Sequence, residues 1–294
     1  MRDRYANLRR IQRLDPARDY RMITHLDACY EFPWDSARAL EFALYRTYCV
    51  PSISALLDQT GEFAQRAQRR YDDTALLIAE FANSGSDDER GRAALRQMNR
   101  IHHQYAIAND DYLYVLSTFV FEPIRWNARF GWRRLCANER LAAFYHWREI
   151  GQRMGIQRIP ETYEAFEAFN ITFERERFHY AASNARVGAA TRDLFMSWFP
   201  PLLRPLVRLG IYALLDEPVR AAFGFPRAPA LVRALGERAL RARAWALRAF
   251  PPRETPYLYV EQRHRSYPQG YTISDLGPPG FVAATRARQM DAEE

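Results

Sequence analysis

The chain of 294 residues contains no lysine, because all 42 of its basic residues are arginine. This absence excludes enzymes that form a Schiff base on a lysine amine, including those that use pyridoxal phosphate. Cysteine is also scarce, with widely spaced residues at Cys29, Cys49 and Cys136. That number and spacing fit neither a disulfide framework nor a zinc site, so the sequence predicts a reducing compartment.

Long apolar runs are missing as well. No uncharged stretch reaches the roughly 18 residues that a membrane-spanning helix needs. The first fifteen residues lack the apolar segment of a secretory signal peptide. We therefore predict a cytoplasmic protein that is either soluble or peripheral to a membrane. Although the net charge is +7, the chain has no nucleic-acid-binding motif, so nucleic acid is not an expected partner.

Apolar and aromatic residues are plentiful. Hydrophobic residues make up 48% of the chain, and it holds 18 Phe, 17 Tyr and 6 Trp. These residues recur at helical spacing, and we find neither internal repeats nor credible strand pairs. The sequence predicts an all-α fold in one large domain with a bulky aromatic core.

The most informative stretch lies between Arg70 and Tyr114. A capping-box pattern at 86–89 predicts the start of a helix that runs to about Ala108. On this helix His102 shares a stripe with apolar residues placed three and four positions apart, and such a stripe faces a core. A second prediction in this region is a helix from Tyr112 to Phe121, closed by Pro123 and nearly all apolar.

The preceding helix places an arginine on its apolar face. Arg70 and Thr74 are four residues apart, and their face continues into Leu77 and Phe81. A buried arginine and a buried imidazole both need partners. The ordinary explanation is a salt bridge for Arg70 and a carbonyl partner for His102. The alternative is a shared ligand with a polar edge and an apolar body, such as haem.

A family resemblance rests on the longer run that contains His102, which reads RIHHQYAIANDDYLYVLSTFVFEPIRWNARFGWRRL, and on the later segments HWREIGQRMGIQRIP and FERERFHYA. Together they resemble the oxygenase family of the fungal mycophenolate-pathway enzyme, whose catalytic domain is shared with the bacterial latex-clearing rubber oxygenases. The resemblance covers about residues 20–255 and implies a haem-binding catalytic domain with a globin-like helical core. Residues 1–19 would be an N-terminal extension. Residues 256–294, rich in proline, glycine and tyrosine, are predicted to be loop-rich or disordered.

The resemblance also implies roles for individual residues. His102 would be the proximal ligand of a haem b iron, and Arg70 and Thr74 would line the distal side. Rubber oxygenases have a lysine just before that threonine, whereas this chain has Asp73. A resting state ligated by lysine is therefore impossible here. Glu62 and Asp73 are the candidates for the distal acid that takes a proton from the substrate.

The resemblance leaves other features of the reaction open. Arg125 is a candidate partner of the haem propionates, as are Arg133 and Arg134, with solvated arginines as the alternative. The implied substrate is an apolar molecule, with an isoprenoid as the family analogue. It would be oxidised with dioxygen or cleaved at a carbon–carbon double bond.

Residues 194–250 are predicted to form a basic and apolar surface. An apolar stretch broken by three prolines precedes an amphipathic helix rich in alanine and arginine. Residues 201–250 contain nine arginines and three acidic residues. This composition suits peripheral contact with anionic lipid. It also suits an ordinary packed helix pair with a solvated arginine face.

Two other functions compete with the haem oxygenase. The first is a non-catalytic peripheral-membrane or lipid-binding protein in which His102 is structural. The second is a di-iron carboxylate oxidase, because Glu-x-x-His spacing occurs at 176–179 and again at 261–264. The second copy falls in the proline-rich tail, where a bundle helix is not expected.

Overall fold

A computed structural model describes residues 3–84 and 88–293 of the chain. These residues form helices, turns and loops without a β-strand, which confirms the all-α prediction. The globin-like arrangement of the core stays a prediction. The α-helices, in chain order, are α1 (Ala6–Ile11), α2 (Tyr20–Leu26), α3 (Pro33–Thr47), α4 (Pro51–Gln59), α5 (Glu62–Gln65), α6 (Ala67–Ser84), α7 (Glu89–His102), α8 (Asn109–Phe130), α9 (Ala137–Arg153), α10 (Tyr163–Arg177), α11 (Ala182–Ser197), α12 (Arg204–Leu214), α13 (Glu217–Phe223), α14 (Ala230–Leu247) and α15 (Pro279–Glu293).

The helices group into two compact units. The first unit is formed by the chain up to Gln59 together with Asn109–Tyr257, and the second by Thr60–Ala108 together with the chain from Leu258 onward. The second unit is therefore built from two segments that are distant in sequence. The predicted domain limits at residues 20 and 255 stay a prediction.

Helix α8 lies at the centre of the first unit, as its apolar sequence predicts. It packs against α3, α9, α10 and α14. The predicted end of this helix at Pro123 is wrong, because α8 continues to Phe130. Beyond the proline, Trp126 and Phe130 are buried with Ala39 in one apolar cluster. Their burial offsets the roughly 3 kcal/mol that a proline costs inside a helix.

From Glu161 onward the sequence places aromatic residues at helical spacing, which predicts a core-facing helix, and α10 carries this stripe. Its buried residues include Tyr163, Phe166 and Phe173. The ring of Phe173 stacks on that of Tyr114 in α8, with 4.6 Å between the centroids. This contact fixes α10 on the central helix of the unit.

In the second unit α6 packs against α7. Helix α7 begins close to the predicted start, but its N-cap is Asp88 and not Ser86, and Asp88 accepts a 2.9 Å hydrogen bond from the Arg90 amide. Ser86 and Asp87 of the predicted capping box lie outside the described residues. The predicted continuation to Ala108 is wrong, since the helix ends at His102 in a turn closed by a bond from the Tyr105 amide to the His102 carbonyl. His102 is thus a helix-end residue.

The segment 258–276, called the C-terminal strap below, lies on α6 and α7 despite its irregular backbone. The Ser266 amide donates to Asp72, and Gln97 donates to the Leu276 carbonyl, both at 2.9 Å. The Tyr271 hydroxyl donates to Glu80 at 2.6 Å. Loop-like composition therefore coexists with defined contacts. Helix α15 follows the strap, although the sequence pattern does not predict a helix there.

The turn after the strap requires glycine. Gly277 has a φ of +133°, and a Cβ atom there would lie 2.9 Å from Cδ1 of Ile101. A side chain at this position would be strained by the backbone angle and would press on the flexible tip of Ile101, the residue just before His102.

Candidate functional site

Helix α6 presents Arg70 and Thr74 one turn apart, as predicted. Nη1 of Arg70 donates to Oγ1 of Thr74, and that hydroxyl donates to the Arg70 carbonyl at 3.0 Å. The guanidinium carbon lies 5.5 Å from the centroid of the Phe63 ring. Both side chains are half-buried. The threonine hydroxyl and the aromatic face together fix the direction of the Arg70 charge.

His102, the last residue of α7, lies in the same unit. Burial lowers the pKa of its imidazole to about 4, and the positive charge of Arg70 and the neighbouring His103 add to this effect. His103 itself is exposed. The His102 ring is therefore neutral at physiological pH, which is the form that binds a metal.

Asp73 is buried beside Arg70, and its partner comes from the strap. The hydroxyl of Tyr267 donates to Oδ1 of Asp73. Burial raises the pKa of Asp73 to about 6, although the bond from Tyr267, the charges of Arg69 and Arg70, and a bond from the backbone of Gly277 all act to lower it. Sequence reasoning named Asp73 but missed Tyr267. No spacing rule connects residues 194 positions apart.

The Tyr267 hydroxyl has two acceptors for its single proton. Besides Asp73, it lies 3.1 Å from the carbonyl oxygen of Asp275. When Asp73 is ionised, it accepts the phenol proton. When Asp73 is protonated, it can donate to the phenol oxygen while the phenol donates to Asp275. The pair therefore accommodates a proton on Asp73 without leaving a donor or acceptor unsatisfied.

Glu62, the other candidate acid, has a different environment. Its carboxylate accepts bonds from Nε of Arg66 at 3.0 Å and from Nη2 of the same arginine at 2.5 Å. Both carboxylate oxygens of Glu62 are thus engaged by one guanidinium. The hydroxyl of Tyr267, by contrast, is a neutral donor to Asp73.

The candidate propionate partners lie in the first unit, where they have other contacts. Arg125 donates to Glu122 at 2.8 Å and to Asn170 at 2.6 Å. Arg133 is buried between Glu31 and Glu139. Arg134 is exposed. Arg133 therefore forms structural ion pairs with Glu31 and Glu139. A haem-binding role for Arg125 stays a prediction.

The two Glu-x-x-His motifs do not form a carboxylate cluster. His179 is exposed and follows the end of α10. His264 is buried in the strap, with Nε2 2.9 Å from the Tyr259 carbonyl oxygen. Across residues 3–84 and 88–293, no three His, Cys, Asp or Glu side chains come together in a group that could hold a metal ion. A haem iron needs no such group, because the porphyrin supplies four of its ligands.

The first unit contains a cavity of about 570 Å³ with an apolar wall and a charged wall. At the charged wall Arg46 bonds to Glu174 at 2.9 Å and to Asp216 at 2.5 Å, and it lies 3.4 Å from Glu122. Three carboxylates thus converge on one largely buried guanidinium. The sequence gives no signal for this network because its three carboxylates lie 76 to 170 residues from Arg46.

The sequence around His146 of α9 predicts a half-buried surface histidine, or one that touches a ligand, but the structure differs. Its side chain is buried, and burial lowers the pKa of its imidazole to about 4. The ring lies 5.7 Å from that of Trp147 and 6.3 Å from that of Tyr20. His146 is a core residue of the first unit.

Comparison with known proteins agrees with the resemblance predicted from the sequence. Residues 36–249 match the model of the family described as ER-bound oxygenase mpaB/B'/Rubber oxygenase, catalytic domain. Arg70, Asp73, Thr74 and His102 lie inside the matched range, whereas Tyr267 lies outside it.

Individual relatives point to the same family. The chain is 36% identical over 132 residues to the ER-bound oxygenase mpaB of Penicillium roqueforti (strain FM164), an alignment that covers 43% of this chain and 44% of that protein. The ER-bound oxygenase mpaB of Penicillium brevicompactum is 35% identical over 132 residues, which are 43% of this chain and 34% of its own length. The chain thus spans less than half the length of these relatives. Because the family model covers most of the chain, the protein belongs to the family of mpaB-type and rubber oxygenases.

Proposed function

We propose that the protein is a haem-b-dependent oxygenase of an apolar, isoprenoid-type substrate. It would use dioxygen to oxidise the substrate or to cleave its carbon–carbon double bond. The observation that carries this proposal is the neutral imidazole of His102, on which the charge of Arg70 acts. It occurs in a chain that belongs to an oxygenase family. The alternative is a non-catalytic lipid-binding protein.

The environment of His102 fits a haem ligand, because burial and the charge of Arg70 favour the neutral imidazole. Nε2 of a neutral His102 can hold the iron, and one protein ligand suffices for this cofactor. When bound, haem would supply the iron that activates dioxygen. Arg70, whose charge acts on His102, would bind a propionate or stabilise negative charge that develops on the reacting atoms.

Asp73 and its neighbours would handle protons. Thr74 keeps the Arg70 guanidinium oriented through their hydrogen bond. With its pKa near 6, Asp73 is largely ionised at neutral pH and can accept a proton from the substrate. Tyr267 acts as a positioning residue, since it holds Asp73 in place and takes up the rearranged hydrogen bonds when Asp73 is protonated.

The visible spectrum of the purified protein tests the cofactor. We expect a Soret band in the protein as isolated, or after stoichiometric hemin is added to the apoprotein. A protein that contains iron but gives no Soret band would favour the di-iron alternative. A protein that binds neither iron nor hemin would favour the lipid-binding alternative, and either result contradicts the proposal.

Tyr267→Phe is expected to raise the pKa of Asp73. The tyrosine hydroxyl stabilises the charged carboxylate, so its removal favours the protonated acid. Carbon-13 NMR of labelled aspartate carboxyls should give a titration midpoint near pH 6 in the unmodified protein and a higher midpoint in the variant. The Asp73 resonance is assigned by its loss in Asp73→Asn.

Tyr271→Phe is the matched control for this titration. It removes a phenol hydroxyl from the same strap, but that hydroxyl bonds to Glu80. The midpoint of Asp73 should stay unchanged in this variant. An Asp73 that titrates near the ordinary aspartate value of about 3.9, or that responds equally to both substitutions, would refute the role of Tyr267.

A further inference from the structure

We infer that α12, α14 and the chain that leads into α12 form a docking surface for a bilayer rich in anionic lipid. This surface lies in the first unit and contains none of the residues proposed for catalysis. It therefore goes beyond the proposed function and does not depend on it. Three observations support it: exposed apolar side chains, their helical spacing and the distribution of charge.

The chain that enters α12 exposes large apolar side chains to water. Leu202 is 94% exposed and Leu206 is 65% exposed, and Phe199, Leu203 and Leu209 are also exposed. Most other leucines of the chain are buried or half-buried. Concentrated exposure of this kind marks a surface that meets an apolar partner.

Helix α14, which packs against α12, has an outward stripe of its own. Leu231, Leu235, Arg238, Ala242 and Trp245 follow one another at steps of four and three, which places them on one face, and all five are exposed. Trp245 is 73% exposed. Tryptophan is enriched where a protein meets the headgroup region of a bilayer.

The charges of this region are unbalanced. Its three acidic residues are already engaged with arginines: Asp216 pairs with Arg46, while Glu217 and Glu237 each contact two arginines. Arg208 and Arg238, by contrast, are exposed and form no ion pair with any residue that the structure describes. A net positive surface with unused guanidinium groups is complementary to anionic headgroups.

The mixture of side chains favours lipid over a protein partner. Arginines interrupt the apolar side chains about once per turn in both helices. In a protein interface each of these cations would need a partner, whereas at a bilayer they reach the phosphates while the leucine tips enter the apolar region. No helix in the described part of the chain is long and apolar enough to cross a membrane.

Co-sedimentation of the full chain with vesicles tests this inference. We expect binding to vesicles of phosphatidylcholine with a quarter phosphatidylglycerol, and at least about tenfold weaker binding to phosphatidylcholine alone. Leu202→Asp combined with Leu206→Asp should lower the affinity for the anionic vesicles by at least about tenfold. Arg208→Gln should lower it by about fivefold, an effect that fades in high salt.

Ile171→Asp provides the matched control. Ile171 is 53% exposed on α10, outside the proposed surface, and the same change of side chain there should leave vesicle binding unaltered. Equal binding to both vesicle types, no binding to either, or equal loss in the control would overturn the inference. A different result would also overturn the inference: the protein self-associates in ultracentrifugation, the leucine variant abolishes this self-association, and no vesicle binding is seen. Hemin content does not enter the measurement, so its outcome is separable from that of the haem proposal.

Discussion

His102→Ala is expected to weaken haem binding by at least about a hundredfold and to remove most of the Soret band. Mutating a residue that only supports a metal ligand typically costs 10- to 100-fold in metal affinity, so loss of the ligand itself should cost at least the upper end. A hundredfold is about 2.7 kcal/mol. Hemin titration followed in the visible region measures the change.

His103→Ala is the control for this experiment, because the adjacent imidazole is exposed and lies beyond the end of α7. It should keep the Soret band and the hemin affinity. Free imidazole should restore part of the hemin binding in His102→Gly, since it can enter the space left by the side chain. If His102→Ala binds hemin as tightly as His103→Ala does, His102 is not the ligand. Helical circular dichroism must match in all variants.

Arg46→Met is expected to destabilise the protein by about 3–5 kcal/mol. Methionine keeps most of the volume but removes the cation on which Glu122, Glu174 and Asp216 converge. Breaking a buried ion pair from one side leaves uncompensated charge, which is the costly case. The free energy of unfolding from guanidinium titration measures the effect.

Arg175→Met tests whether the effect comes from charge convergence. Arg175 lines the same cavity, but its side chain is 73% exposed and lies 3.9 Å from Glu176. Its loss should change the unfolding free energy by no more than about 0.5 kcal/mol. Similar losses in the two variants would contradict the account of the network.

Local sequence signals predicted much of the fold. The apolar periodicity of α8 and α10 and the acidic start of α7 gave correct helices, because each depends on residues within one or two turns. The same signals failed at the helix ends. Tyr105 continues the apolar stripe of α7 in sequence, yet the helix ends at His102. Pro123 was predicted to end its helix, but α8 continues past it because residues beyond the proline are buried in the core.

The site was predictable only in part, for a related reason. Arg70, Thr74 and His102 could be found because each lies on a helix face that is otherwise apolar. Tyr267 could not be found, because it reaches Asp73 from an irregular segment in which hydrogen bonds, and not apolar spacing, determine the position. Analysis of a short stretch of sequence detects periodic apolar residues, whereas hydrogen bonds between polar groups distant in sequence produce no periodic pattern.

The strap also bears on where the chain can be shortened. A recombinant form that stopped at residue 249, where the family match ends, would keep the residues proposed to bind iron. It would, however, remove the backbone donor of Asp72 and the phenol donors of Asp73 and Glu80. Glu80 would keep its ion pair with Arg90 and Asp72 its bond from Gln68, so the loss would fall mainly on Asp73. A trimmed version that preserves the surroundings of Asp73 should therefore extend past Gly277.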